Sequence, residues 1–477
     1  MRFSSVSDVT KEISLRAWRD WFSSALLFGT VALAPLPFGS TDLISIALWC
    51  VVLGIAIVLG PVDSFDGGHA TAFGVVFALA LAYSLVLHEQ LADKSWLPVG
   101  LVHPIWTQAS EVLGTSLAPS ISVAKHQPFF ELGRPLANIL IFLAGLRIGA
   151  DRRASSSLLK VIAWSGVAYA VYGIGSHIID PGKVLWREKV AYQGVLTATF
   201  FNRNTAAVYF GTCAIAWLVL LLGRLRYQIV EHKSRWRSTL RSLLSHPPHG
   251  SITASLALFV CLSAMFMTGS RAGVLLSLTA AVIVFTAYLG RVLPRGSRVA
   301  ALFVVAGCCV FLLFQLLGGV VNARIDLQGL GDGGRLHTYK AMLGMIESFP
   351  WLGTGLGTFV WSFPAYRPSD VSLWGVWDRA HSTILEIASD VGVPLAILVV
   401  VAWILMLGLL VNALRRSRGE DTTLLLAALA AAFVALVHTS LDFSLQTFGF
   451  SATIFALQGA AVGRAFRVLR KNSPSIS

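Results

Sequence analysis

Charge is scarce in this 477-residue chain. Asp, Glu, Lys and Arg together make up 13% of it, where soluble domains carry roughly 25%. That deficit, with 55% hydrophobic residues, excludes an ordinary soluble domain and points to a polytopic membrane protein. Motifs for nucleotides and metals are missing as well: there is no Walker loop and no HExxH. No Asp-x-Asp pair occurs, so the usual carboxylate clamp for a divalent metal on phosphate is absent. GTGLGTF at 353–359 is glycine-rich, but a tight turn is the more economical reading. The few cysteines (Cys50, Cys213, Cys261, Cys308 and Cys309) all lie in apolar runs without metal-ligand spacing, which excludes a disulfide framework and leaves small buried hydrophobes. The sequence therefore calls for no metal and no cofactor.

What the chain has in quantity is apolar runs. A membrane-spanning helix needs about 20 largely apolar residues. Twelve runs qualify, at 20–37, 41–60, 71–88, 133–150, 158–177, 204–222, 251–268, 272–290, 299–319, 383–413, 421–440 and 444–464. The spacing predicts an all-α membrane protein of about 12 transmembrane helices, read as a single integral membrane domain over 1–477. The run at 383–413 is long, and its first turns, STILEIASDVG, are expected to project from the membrane before Pro394. The N-terminus shows no small-residue cleavage site, so the first run reads as a retained helix.

The formal charge of +13 does not point to nucleic acid. The Lys/Arg clusters sit in short loops between apolar runs, which is the pattern of membrane topology. With the N-terminus inside, the strong clusters all fall on the cytoplasmic side: Arg152 and Arg153; Arg224, Arg226, Lys233, Arg235, Arg237 and Arg241; Arg291, Arg295 and Arg298; Arg415, Arg416 and Arg418; and the tail with Arg464, Arg467, Arg470 and Lys471. Both termini are then cytoplasmic. The basic stretch 223–250 is polar at helical spacing and is expected to lie on anionic headgroups.

The outer face receives the segments 89–135 and 179–203, the corner TGSR at 268–271, and a long loop at 320–382. The loop balances Arg324, Arg335, Lys340, Arg367 and Arg379 against Asp326, Asp332, Glu347, Asp370 and Asp378, and is rich in Trp, Gly and Pro. Long polar loops of this kind are more often working parts than tethers. Arg203, Arg271 and Arg335 stand outside the cytoplasmic clusters. Arginine near hydrocarbon costs about 2.5–3.5 kcal/mol on insertion scales. A polyanionic ligand would account for that cost, since guanidinium forks match phosphate oxygens. The competing reading is snorkelling, and for Arg335 a local pair with Asp332. Arg335 falls in the first turn of a helix expected near LHTYKAMLGMIES, where a cation is disfavoured unless an anion is bound.

His381 ends the loop and is the candidate base, because its ordinary pKa lets it hold or release a proton near neutrality. A hydrogen-bonded packing role is the alternative, and His337 is a rival. His438 and Asp442 lie together in VHTSLDFSLQ and would orient His381 or bind each other. Glu386, a helical turn after His381, could do the same work, with Arg379 nearby.

At these residues the chain resembles the O-antigen ligase and polymerase superfamily of bacterial envelope enzymes. The likeness lies mainly in 199–460 and is carried by TFFNRNTAA, TGSRAG, GRLHTYKAMLGMIESFPWLGTGLGTF and AHSTILEIASDVGVP. The resemblance implies a GT-C-like, mostly helical glycosyltransferase of the bacterial inner membrane with a periplasmic active site in which the loop 320–382 takes part. It implies inverting-type transfer without metal, from an undecaprenyl-diphosphate-linked glycan donor to lipid A–core (ligase) or to a growing glycan (polymerase). Arg271 and Arg335 would grip the diphosphate, with Arg203 added from its placement, and His381 would take or position the acceptor proton. Membrane lipid would surround the protein. Two other classes stay open: a transporter of a small anion such as bicarbonate, and a non-catalytic scaffold for envelope assembly.

Overall fold

The computed structural model describes residues 6–471 apart from 62–64, 94–95, 98–100, 232–241, 243–244, 293–297, 320, 322–332, 370 and 372–376. Lys233, Arg235, Arg237, Arg241 and Arg295, much of the basic stretch 223–250, and Asp332 lie outside the described residues.

The chain is almost entirely helical. In order run α1 (Val6–Leu33), α2 (Leu43–Leu59), α3 (Gly67–Leu91), α4 (Ile105–Leu113), α5 (Gln127–Glu131), α6 (Gly133–Gly149) and α7 (Arg152–Ile179). A two-stranded antiparallel ribbon follows, β1 (Lys183–Val184) with β2 (Arg187–Glu188). Then come α8 (Arg203–Glu231), α9 (Ser251–Met267), α10 (Arg271–Val292), α11 (Arg298–Leu317), α12 (Gly333–Ser348), α13 (Phe359–Ser362), α14 (Thr383–Val391), α15 (Val393–Arg416), α16 (Glu420–Thr439) and α17 (Phe448–Lys471). Each of the twelve apolar runs falls on a helix. Among the described residues, seven helices are long and apolar enough to cross a membrane, and three shorter apolar helices accompany them.

Helix starts are set by capping. The Asp42 side chain accepts from Ser45 N–H at 2.9 Å, and that of Asp151 from Ala154 N–H at 2.8 Å. In both cases a donor that the helix cannot satisfy itself finds a partner. The expected 383–413 run is two helices. Gly392 has φ +89° and divides it, and a side chain there would fall 2.1 Å from the Trp351 carbonyl oxygen. Only glycine tolerates both conditions.

The tightest crossing is between α6 and α17. A Cβ on Gly145 or Gly149 would meet the carbonyls of Ala456 and Ala460 at 2.4 and 2.2 Å. One on Gly459 or Gly463 would meet those of Phe142 and Leu146 at 2.1 and 2.3 Å. Each helix thus presents a Gly-x-x-x-Gly face, and the two backbones touch where side chains are absent.

Charged groups separate to the two ends of the bundle. At one end Arg464 holds both oxygens of Asp421 at 2.7 and 3.4 Å, Arg152 approaches Glu420 at 3.2 Å, and Arg147 holds Asp20. The residues expected to carry chemistry lie at the other end. There Met342 of α12 packs with Phe359, Phe363 and Ala380 in a small separate core.

Candidate active site

Asp442 lies at the centre, 1% exposed, just past the end of α16. Its carboxylate collects groups from three other segments. Asn202 and Asn204 donate from the start of α8 at 3.3 and 2.6 Å. The Arg335 guanidinium approaches at 3.6 Å and donates to the Leu441 carbonyl at 2.7 Å. His381 Nδ1 stands 3.9 Å away, beyond hydrogen-bond reach. FFNRNTA folds this way because Asn202 turns its side chain back to Asn204 N–H at 2.7 Å, which leaves both amides facing the carboxylate. Between them Arg203 lies 4.9 Å above the Tyr192 ring. Burial, Asp442 and other nearby charges act on Tyr192 together and raise its phenol above the ordinary range.

His381 has φ +55°, which is costly for a residue with a side chain. Its neighbours hold it there. Tyr339 donates its hydroxyl to the His381 carbonyl at 2.9 Å, and Ala380 N–H is taken by Glu386 at 2.8 Å. The imidazole sits edge-on between Trp377 and Phe443, with ring centroids at 5.5 and 5.3 Å. Burial lowers its pKa below the usual 6.5, and Asp442 opposes that shift. At neutral pH the ring is therefore mainly neutral and able to accept a proton, and 23% of its side chain remains exposed.

Arg271 opens α10. Ser270 caps this helix by accepting from Gly273 N–H at 3.3 Å, and a Cβ on Gly273 would lie 2.6 Å from Ala207 Cβ, one turn into α8. Arg271 and Arg203 therefore begin neighbouring helices at the same end. Arg335 is in the first turn of α12, as the sequence suggests, and Asp442 is a partner.

The supporting residues divide differently from expectation. His438 bonds Ser444 at 2.9 Å and neither turns the imidazole nor pairs with Asp442 by a hydrogen bond. Glu386 reaches Arg379 at 3.2 Å and the backbone before His381, so its influence passes through the main chain. Asn202, Asn204, Tyr192 and Tyr339 were not singled out by the sequence reading. The two Asn had a signal in the quoted motif. The two Tyr had none, since only the fold brings them here.

Residues 256–400 match the family model described as O-antigen ligase. That stretch belongs to the O-antigen ligase and polymerase superfamily. It contains Arg271, Arg335 and His381, while Arg203 and Asp442 lie outside it. The match supports glycan transfer of the ligase or polymerase type in general, with a lipid-linked glycan and an acceptor as substrates. No curated protein matches the chain at a significant level.

Proposed function

We propose that this protein moves a glycan from an undecaprenyl-diphosphate-linked donor to an acceptor hydroxyl, on the periplasmic side of the bacterial inner membrane and without a metal. The observation that carries the reading is the meeting of Arg335, His381, Asn202 and Asn204 around buried Asp442, with Arg203 beside them over Tyr192, at the bundle end away from the Asp421–Arg464 cluster. Neutral His381 takes the acceptor proton. The acceptor oxygen bonds the anomeric carbon as the bond from that carbon to the diphosphate breaks, and the configuration inverts. Negative charge gathers on the departing diphosphate, where Arg335, Arg203 and Arg271 receive it. Fixed guanidiniums in a poorly solvated site suit that task, and a base within reach of the acceptor typically adds 10²–10⁴-fold.

The test is reconstitution in liposomes with a lipid-diphosphate glycan and two acceptors, lipid A–core and a repeat unit. His381→Ala is expected to lower transfer roughly 10²–10⁴-fold with normal protein level, and Arg335→Lys to restore little because the bidentate geometry is lost. Unimpaired transfer by His381→Ala would reject the catalytic role, and the preferred acceptor decides between ligase and polymerase.

A further inference from the structure

A second feature lies behind His381, a groove of about 560 Å³ between α3, α6, α15 and α17. Its length is apolar, with Val75, Leu79, Phe142, Val399, Met406 and Phe466 on its walls. Only its end near the active site is polar. There Arg134 pairs with Glu131 at 3.0 Å and Arg379 with Glu386 at 3.2 Å, so two cations are met by two anions.

Three polar atoms at this end have no hydrogen-bond partner among the described residues: Asp390 Oδ1, Gln446 Oε1 and Arg134 Nε. Asp390 is 4% exposed, and its other oxygen accepts from Gly357 N–H at 2.8 Å. Burial, and then the Glu386 carboxylate, push the Asp390 acid far above the ordinary range. That shift favours the protonated acid, whose O–H lies at Oδ1 because Oδ2 accepts from Gly357. The inventory is one acid donor, one guanidinium donor and one amide acceptor, with no net charge left over.

A prenyl diphosphate fits this end poorly. It brings two negative charges and no donor, and both arginines are already neutralised. A hydroxyl both donates and accepts and carries no charge, which matches all three open atoms. The polar end also adjoins the active site. Gln446 reaches Thr383 at 3.5 Å, and Thr383 and Arg379 stand two residues either side of His381.

We infer that this groove binds a second lipid, one whose hydrocarbon chains join directly to an uncharged, hydroxyl-bearing head group. This binding does not rest on the proposed transfer reaction.

The probes are a diacylglycerol with a photoreactive chain and a phosphatidic acid with the same chain, each added to the full-length protein in phosphatidylcholine nanodiscs. Diacylglycerol is expected to label α3 and α15 at least fivefold more than phosphatidic acid. Val399→Trp, which fills the groove, should cut that labelling at least fivefold. Asp390→Leu should lower it similarly, while Asp390→Asn, still a neutral donor, keeps most of it. Equal labelling by the two probes, or labelling indifferent to Val399→Trp, overturns the binding site. A wild-type protein that labels as expected but transfers no glycan rejects the proposed reaction and leaves the lipid site standing.

Discussion

Helices α8 and α16 and helices α3 and α15 are all apolar enough to cross a bilayer, yet their surroundings are opposite. In α8 and α16, 78% and 72% of the apolar stretch is buried against other helices; in α3 and α15 the shares are 6% and 17%. Apolar content alone separates none of these. What differs most clearly is side-chain size in the last two. LLLAALAAAFVALVHT of α16 is rich in alanine, which lets neighbours approach, whereas VPLAILVVVAWILMLGLL of α15 presents branched and long side chains suited to lipid. The division is functional as well as mechanical. The tightly packed pair ends in Asn202, Asn204 and Asp442, and the loosely packed pair walls the groove. Groups that must hold geometry stand on rigid helices, and a route for lipid runs between helices with few neighbours.

Substitutions in the two regions should differ by orders of magnitude. The largest effect is expected at the α6–α17 crossing. Gly459→Leu would drive a side chain into the Phe142 carbonyl, at 2.1 Å from the first added carbon. A loss of about 3 kcal/mol or more, at or beyond the usual overpacking range, should appear as depletion of folded protein from membranes. Normal levels would show that this crossing is not a rigid element.

Asp442→Asn comes next. It preserves shape and removes the charge that gathers Arg335 and faces His381. Transfer should fall roughly 10²-fold, near the lower range of lost acid–base help, with protein level unchanged. Equal loss of protein and activity would make Asp442 a folding residue instead.

The pH response is smaller. Because burial lowers the His381 pKa below 6.5, its neutral form dominates at pH 7. Activity should be flat near neutrality and fall only as pH drops through that lowered value. Any stability linked to this group has the same sign. It is complete above the unfolded pKa of about 6.5 and lost as pH falls below it. A rate that rises through pH 7–8 would contradict a lowered pKa.

The smallest effect is expected on the lipid-facing side. Ile404 on α15 is 62% exposed. Ile404→Ala should change stability by no more than about 0.5 kcal/mol, as for surface positions lacking partners, measured by thermal melting in detergent. A larger loss would mean that a neighbour covers this face.

Much of this arrangement could be read from the residues alone. Each of the twelve apolar runs falls on helix, the run at 383–413 on two, because hydrophobic length is a local property. Arg203, Arg335 and His381 could be nominated because charge at the edge of hydrocarbon needs a reason. The carboxylate at the centre was harder to read. Asp442 lies beside His438 in the sequence, and the obvious pairing was between those two, whereas the chain turns His438 toward Ser444 and aims the carboxylate at residues over a hundred positions away. The groove could not be read at all, since its walls are ordinary apolar helices and its polar end joins residues from 131 to 446. The glycine-rich GTGLG forms a turn, as its composition suggested. Thr354 and Gly355 donate to the carbonyls of Ser389 and Asp390 at 2.8 and 3.1 Å, which seats this turn against the end of α14.

Helix α14 has nine residues, with His381 two residues before its first and Asp390 near its last. At about 1.5 Å per residue the helix itself is roughly 13 Å long, and the turn seated on α14 keeps that interval from stretching. Such a strut acts as a gauge: a molecule moored at the far end can offer only those hydroxyls that its own length carries to the near one, so short head groups fall short of the imidazole whatever their chemistry.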